Sequence, residues 1–303
     1  MLETFDTRTI ETAETEIFVR TAGSGAPVLL LHGYPQTGAC WHAVAPKLAE
    51  RFTVVVPDLR GYGRSGRPAA DGEHLAYSKR AMAADMAAVM TELGFETFQV
   101  VGHDRGSRVG YRLALDFPER VTRFCSLDVV PTGHMWRHWD KTRALGAFHW
   151  TFLAQPAPLP ETLIRADADG FHAHLIRSWA APGFEFDAAA MATYLEAMRA
   201  PAAIHASCED YRAGATVDDE VDAADFEAGN KLACPVLFLW GARRGFGGPQ
   251  GGKQPLEVWR QWCSNEVTGG PVDCGHFLPE EAPGAVLDAL GDFLTDDKAA
   301  EGA

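Results

Sequence analysis

Residues Val100–Arg108 read Val-Val-Gly-His-Asp-Arg-Gly-Ser-Arg, and few stretches restrict a fold so tightly. The apolar run Phe98–Val101 predicts a strand, and Arg105–Asp116 predicts a helix stopped before Pro118. Between them, Gly102-His103-Asp104-Arg105-Gly106 leaves almost no chain in which to turn. Glycines flanking the residue at such an apex are the mark of a nucleophile elbow, Gly-x-Nu-x-Gly, in which a strand passes abruptly into a helix. The apex here is Asp104 rather than serine. A carboxylate is a poor catalyst of ordinary ester hydrolysis, but it can displace a leaving group at a saturated carbon and form an alkyl–enzyme ester. Arg105 and Arg108 follow within one helical turn and point to a substrate that is itself an anion.

The rest of the chain repeats this alternation. Short β-rich runs bounded by Gly, Pro or Asp predict strands at Glu16–Arg20, Val28–Leu31, Thr53–Pro57, Arg123–Leu127, Pro235–Trp240 and Glu266–Val272. Ser78 can cap a helix carrying Met82, Met86, Val89, Met90 and Leu93 that ends at Gly94. Gln254–Ser264 and Ala285–Leu294 predict two more helices. Strands alternating with helices of this length imply a largely parallel sheet covered on both faces. From about Pro131 to Asn230 the strand pattern stops, and Ala, Trp, His and helix formers dominate. We read 131–230 as a helical lid, with Pro156, Pro158 and Pro160 kinking its middle. Residues 1–130 and 231–303 then form the core domain.

With 303 residues, 47% of them apolar, the chain can bury a full core. No N-terminal segment joins positive charge to an apolar stretch, and no run approaches the roughly 18 apolar residues of a membrane span. The six cysteines are scattered without Cys-x-x-Cys spacing, which suits reduced thiols in a cytoplasmic protein. A net charge of −14 argues against nucleic acid and anionic membranes as partners. It also means that an anionic substrate needs a locally positive pocket, which the arginines after Asp104 could supply.

An elbow of this type needs an acid and a histidine later in the chain, each after a strand. His276 follows the last predicted strand within Cys274-Gly275-His276-Phe277-Leu278-Pro279. The acid in many such folds follows the strand ending here at Leu239-Trp240, but Gly241-Ala242-Arg243-Arg244 holds no carboxylate. Asp128, after Arg123–Leu127, is the well-placed substitute; its plainer reading is a turn or cap residue. His32-Gly33-Tyr34-Pro35 directly after Val28–Leu31 resembles an oxyanion loop. The backbone N–H groups of Tyr34 and Arg105 would meet at one spot, while the Tyr34 ring either walls the pocket or simply packs.

Taken together these segments resemble the fluoroacetate (haloacetate) dehalogenases of the α/β-hydrolase superfamily over essentially the whole length. The likeness extends to the lid block Phe148-His149-Trp150-Thr151-Phe152-Leu153-Ala154-Gln155-Pro156-Ala157-Pro158-Leu159-Pro160-Glu161 and to Cys208-Glu209-Asp210-Tyr211-Arg212-Ala213-Gly214-Ala215. It implies an α/β-hydrolase fold, a mostly parallel eight-stranded sheet with an inserted helical lid. It further implies that His149, Trp150 and Tyr211 form a halide pocket, that Arg105 and Arg108 grip the substrate carboxylate, and that the protein is a homodimer. The chemistry is coherent: three hydrogen-bond donors converging on a departing fluoride replace its solvating water. No cofactor or metal is implied; His134 and His138, spaced i,i+4, lack a third ligand in a metal-site pattern.

Three rivals are weighed against this. An epoxide hydrolase shares the Asp elbow but calls for two lid tyrosines, here Tyr211 and Tyr194, and its pocket has no use for elbow arginines. A haloalkane dehalogenase usually has Trp where Arg105 stands. A non-catalytic descendant, a receptor or scaffold, would have no need to keep nucleophile, base and acid together. Asp58–Gly66 reads as a structural loop, and Gly241–Gly252 as a flexible loop near the pocket mouth.

Overall fold

A computed structural model describes residues 1–243 and 255–295. Eight strands form one sheet: β1 (Asp6–Glu11), β2 (Glu16–Ala22), β3 (Pro27–Leu31), β4 (Thr53–Pro57), β5 (Phe98–His103), β6 (Val121–Leu127), β7 (Val236–Gly241) and β8 (Val267–Val272). Their spatial order is β1-β2-β4-β3-β5-β6-β7-β8. β2 is antiparallel to β1 and β4, and every other pairing is parallel.

The central strands bury both faces. Leu29, Leu31, Val55, Val100, Phe124, Val236 and Phe238 face one apolar layer, whereas Val28, Leu30, Val54, Val101, Cys125, Leu237 and Leu239 face the other. That double burial is why these segments read as unbroken apolar runs rather than as alternation. The edge strand β1 has no such signal: only Ile10 is buried in it, so its sequence offers no period to detect.

One face is covered by helices α2 (Lys79–Glu92) and α3 (Arg105–Asp116), which contribute Met82, Met86, Met90, Val109 and Leu113. Ser78 caps α2 through Ala81 N at 3.2 Å, and α3 ends at Asp116, as expected. The opposite face receives the single turn α1 (Ala45–Leu48) and α14 (Pro283–Thr295), with Val286, Leu290 and Leu294 buried. Two expected helices differ at their ends. α12 spans Pro255–Trp262, stopping before Cys263 and Ser264, and α14 starts two residues before Ala285. Gln254 and most of Gly241–Gly252 lie outside the described residues.

Between β6 and β7 the chain is helical throughout: α4 (Thr132–Arg137), α5 (Lys141–Gly146), α6 (Phe148–Leu153), α7 (Leu159–Ala166), α8 (Ala168–Trp179), α9 (Ala188–Met198), α10 (Pro201–Ala215) and α11 (Val217–Ala228). This is the inserted lid. The prolines separate two helices rather than kink one: Pro156 and Pro158 fall between α6 and α7, and Pro160 sits in the first turn of α7, where its missing N–H costs nothing. A short α13 (Leu278–Glu281) follows the segment that carries His276.

The Asp58–Gly66 loop is tied down by its own carboxylate. Asp58 accepts hydrogen bonds from Gly38 N (2.8 Å) and Arg64 N (2.9 Å) and pairs with Arg20. All six cysteines are unpaired and buried. Among the described residues no helix is long and apolar enough to cross a membrane.

Candidate active site

Strand β5 runs directly into α3, and the residue at the junction takes the strain. Asp104 has φ 49° and ψ −118°, a conformation L-residues rarely adopt. The flanking glycines serve a different purpose, close approach. A Cβ on Gly102 would lie 2.4 Å from Ser107 Cα, and one on Gly106 would lie 2.4 Å from the carbonyl oxygens of Leu31 and His32. The apex is thereby pressed against the end of β3, where Gly33 leaves space for the Asp104 side chain. Tyr34 N–H donates to Asp104 Oδ1 at 2.9 Å. The second expected backbone donor, Arg105 N–H, makes no hydrogen bond to this carboxylate among the described residues. His32 braces the loop, accepting from Leu59 N–H at Nε2 (2.9 Å), so its proton resides on Nδ1, facing Gly33 O at 3.0 Å.

Asp128 follows β6 and His276 follows β8, strands separated in the sheet by β7. Asp128 Oδ2 lies 2.6 Å from His276 Nδ1, while Oδ1 accepts from Gly241 N–H at 2.8 Å. Like Asp104, Asp128 has a positive φ, 59°. His276 Nε2 lies 3.8 Å from Asp104 Oδ2, near but not bonded to it. That gap suits a base acting on a water at the carboxyl carbon better than one deprotonating the carboxyl itself. Burial pushes Asp128 up to about 6, against the pull of His276. Burial by itself lowers His276, but the Asp128 bond and charge, with Asp104 beyond, outweigh it and raise the imidazole above its ordinary value. For Asp104, burial is outweighed by His276, Arg105 and Arg108 among its neighbours, and the carboxyl is held below its usual range.

Both arginines are buried, at 1% and 2% exposure; Asp116, on the same helix, pairs instead with Arg112 and Arg80. Arg108 donates from Nη1 to Val130 O and Thr132 Oγ1, both at 3.0 Å, and stacks 4.6 Å from the Trp150 ring. No carboxylate pairs with it among the described residues. Arg105 is paired with Asp210, and its Cζ lies 4.2 Å over the Tyr211 ring.

The lid closes over this end of the sheet and brings its aromatic residues together. His149 and Trp150 come from α6 and Tyr211 from α10, with the Tyr211 ring 5.5 Å from His149 and 6.1 Å from Trp150. Tyr34 joins them, 5.3 Å from Tyr211 and stacked 6.5 Å from His149. Burial lowers His149 to about 3, so it is a neutral imidazole. Five buried donor or acceptor atoms in this cluster have no hydrogen-bond partner: Tyr34 Oη, Arg105 Nη1, Arg108 Nε, His149 Nδ1 and Tyr211 Oη. Orphaned polar atoms in such number and proximity mark a binding site rather than a core. Asp104, Arg108, His149, Trp150 and His276 line a cavity of about 1180 Å³ that continues outward past Arg143 and His174. Tyr34, Tyr211 and Arg105 pack directly against the lining residues His149 and Trp150.

Two features escaped the sequence reading. Trp179 of α8 packs between His149 (4.4 Å) and His276 (5.7 Å), forming a wall no spacing announces. Glu281 accepts from Ala181 N, Gly275 N and Phe277 N at 2.7–2.8 Å, tying the His276 segment to the lid. One pairing fails outright: Tyr194 is not beside Tyr211. Its hydroxyl donates to Glu280 at 2.9 Å, and its ring packs in the opposite apolar layer. His134 and His138 stack on each other 4.1 Å apart.

An eight-stranded sheet, an elbow at the end of its central strand and a helical lid define the α/β-hydrolase architecture. The sequence profile of the α/β-hydrolase fold family matches residues 26–283, and the chain belongs to that family. Within it, the chain is similar to a fluoroacetate dehalogenase of a Burkholderia species, 42% identical over 98% of this chain and 96% of that protein. It is also similar to a soluble epoxide hydrolase of Corynebacterium sp. (strain C12), 33% identical over 90% of this chain and 92% of that protein. Among solved structures, a Nostoc sp PCC 7120 protein assigned to the α/β hydrolases matches with a TM-score of 0.94 at 48% identity, covering 98% of this chain and 100% of that one.

Proposed function

We propose that this protein hydrolyses the carbon–halogen bond of short 2-haloacids, haloacetates first among them. The observation that carries the reading is Arg108, a buried guanidinium without a carboxylate of its own among the described residues, four residues beyond the Asp104 carboxylate. A buried cation left unpaired is expensive, and a small anionic substrate would complete it. The similarity to a fluoroacetate dehalogenase supports the same class.

In this scheme Arg108 and the free Nη1 of Arg105 hold the substrate carboxylate and bring its halogen-bearing carbon to Asp104. An Asp104 oxygen attacks that carbon, and the carbon–halogen electron pair leaves with the halide. His149, Trp150 and Tyr211 supply N–H and O–H donors to the departing ion. The resulting ester is opened by water. His276, oriented by Asp128, takes a proton from that water as its oxygen adds to the Asp104 carboxyl carbon, and Tyr34 N–H steadies the oxyanion. Collapse expels the substrate oxygen, which takes up a proton. For fluoroacetate the products are glycolate, fluoride and one proton.

A second reading, epoxide hydrolysis, draws on the Corynebacterium relative and on the two unpartnered phenols Tyr34 and Tyr211. The uncompensated charge of Arg108 weighs against it. One experiment separates them: halide release from fluoroacetate and chloroacetate beside diol formation from an aryl epoxide. Halide release without diol is expected. His276→Asn should then accumulate an ester on Asp104, seen as an added mass on the peptide that contains it; normal turnover by this variant would sink the scheme.

The exposed Leu159 and Leu163, one turn apart on α7, support the homodimer implied by the resemblance, with the lid helices as its interface. Sedimentation at several concentrations tests it. The six unpaired cysteines suit a reducing compartment such as the cytoplasm.

A further inference from the structure

Arg105 does not face the pocket as a free cation. Its Nε lies 3.2 and 3.1 Å from the two carboxylate oxygens of Asp210, and Nη2 donates to Asp210 Oδ1 and, at 2.7 Å, to the Asp210 carbonyl. Three of the five guanidinium N–H bonds are thereby committed to one residue, and both on Nη1 remain. The plane is held as well: the Tyr211 ring covers one face, and Gly214 closes the far side, where a Cβ would sit 3.1 Å from Nη2.

Asp210 is itself immobilised. It lies on α10 with no exposed surface, and its Oδ2 accepts from the Tyr62 hydroxyl at 2.6 Å. Lys79, at the start of α2, donates to Oδ1, with Asp218 Oδ2 3.6 Å from the same ammonium. The cluster therefore runs from the sheet side of the molecule (Tyr62, Lys79) to the lid (Asp210) and ends on the elbow arginine. Buried ion clusters contribute little net stability compared with apolar packing. What this one does provide is orientation.

We propose that Asp210, pinned by Lys79 and Tyr62, is the positioning residue for Arg105: it selects Nη1 as the nitrogen offered to a substrate carboxylate, and so sets the preference for haloacids over neutral alkyl halides. The inference rests on the haloacid reading above. Asp210 touches no reacting atom, so its effect must appear as selectivity rather than as a loss of chemistry.

The test compares chloroacetate with chloroacetamide, of nearly equal shape but uncharged, on the full chain and on D210N. With Arg105 free to rotate, kcat/KM for chloroacetate should fall by about tenfold or more, as expected for losing one charge-assisted contact. The value for chloroacetamide should stay within about threefold, and the rate of ester hydrolysis should not change. Y62F, which removes one anchor and leaves every charge in place, should move the ratio in the same direction by a smaller factor, and it carries the test if D210N does not fold. If charge alone mattered, D210N would make the pocket more positive and chloroacetate would bind more tightly; that result overturns the proposal. Equal losses on both substrates, the mark of a merely structural role, overturn it too. Absence of halide release from chloroacetate by the unmodified protein would instead strike the haloacid reading, and this inference with it.

Discussion

His276 and Asp104 are electrostatically linked, and the link changes during the reaction proposed here. In the resting protein the imidazole is raised, against its burial, by the Asp128 bond and by the Asp128 and Asp104 charges. A base must be neutral to accept a proton, so a raised value shifts the acid limb of activity upward from the ordinary histidine range of about 6.5. Esterification of Asp104 removes one of the raising charges at the moment His276 is needed. The kinetic pKa of kcat, which reports the loaded enzyme, should therefore lie below the resting pKa of His276 followed by NMR. Asp104 stays ionised to lower pH because its own pKa is depressed. Below the His276 limb, rapid quenching should show a burst of halide without turnover. A kinetic pKa equal to or above the resting value would contradict this coupling.

At the scale of elements, the site is made by four strand ends and the segments that leave them. β3 delivers Tyr34, β5 the elbow, and β6 Asp128, while the segment after β8 brings His276 to Asp128. The close approach of the elbow to the β3 loop depends on two glycines. A Cβ on Gly33 would lie 2.4 Å from Asp104 Cβ, an atom that no side-chain rotation moves, and 2.6 Å from Oδ1. A Cβ on Gly106 would strike the Leu31 and His32 carbonyls. Gly33→Ala and Gly106→Ala should each lose most activity and about 1–3 kcal/mol of stability, the usual range for overpacking. Denaturant midpoints beside halide-release assays check both; an unchanged midpoint with full activity in either variant would refute the close approach.

The molecule as a whole sets its net charge against the haloacid proposed as its substrate. At −14 it repels a haloacetate at long range, while the attraction of Arg105 and Arg108 is buried and short in reach. Salt screens the first far more than the second, the Debye length being about 10 Å at 0.1 M. Raising ionic strength with a non-halide salt should therefore increase kcat/KM, by less than about tenfold. A decrease would mean that positive potential dominates the approach, for which the cavity rim near Arg143 and Arg243 would be the first place to look.

How much of this was legible beforehand follows from the kind of signal each part leaves. Segments buried on both sides announce themselves as apolar runs, which is why the central strands β3 to β7 were readable and the exposed β1 was not. The elbow, His276 and the Asp128 position are local: each is a short string beside a strand end, and chain order alone ranks the candidates. The lid residues carried no local signal and were reached only through resemblance. Tyr194 illustrates the limit, since a tyrosine on a lid helix is equally at home in either apolar layer, and only packing decides between them.

The amino-acid sequence by itself therefore determined the fold class, the carboxylate at the elbow and the presence of two cations next to it. Tertiary structure decided what those cations are free to do. Arg105 and Arg108 look alike in the chain, three residues apart on one helix. Folding gives Arg105 a carboxylate partner 105 residues away and leaves Arg108, among the described residues, with only the neutral acceptors Val130 O and Thr132 Oγ1. The reason is physical: a buried charge is defined by which groups replace its water, and that choice is made by elements distant in sequence, here α10 of the lid and the start of α2.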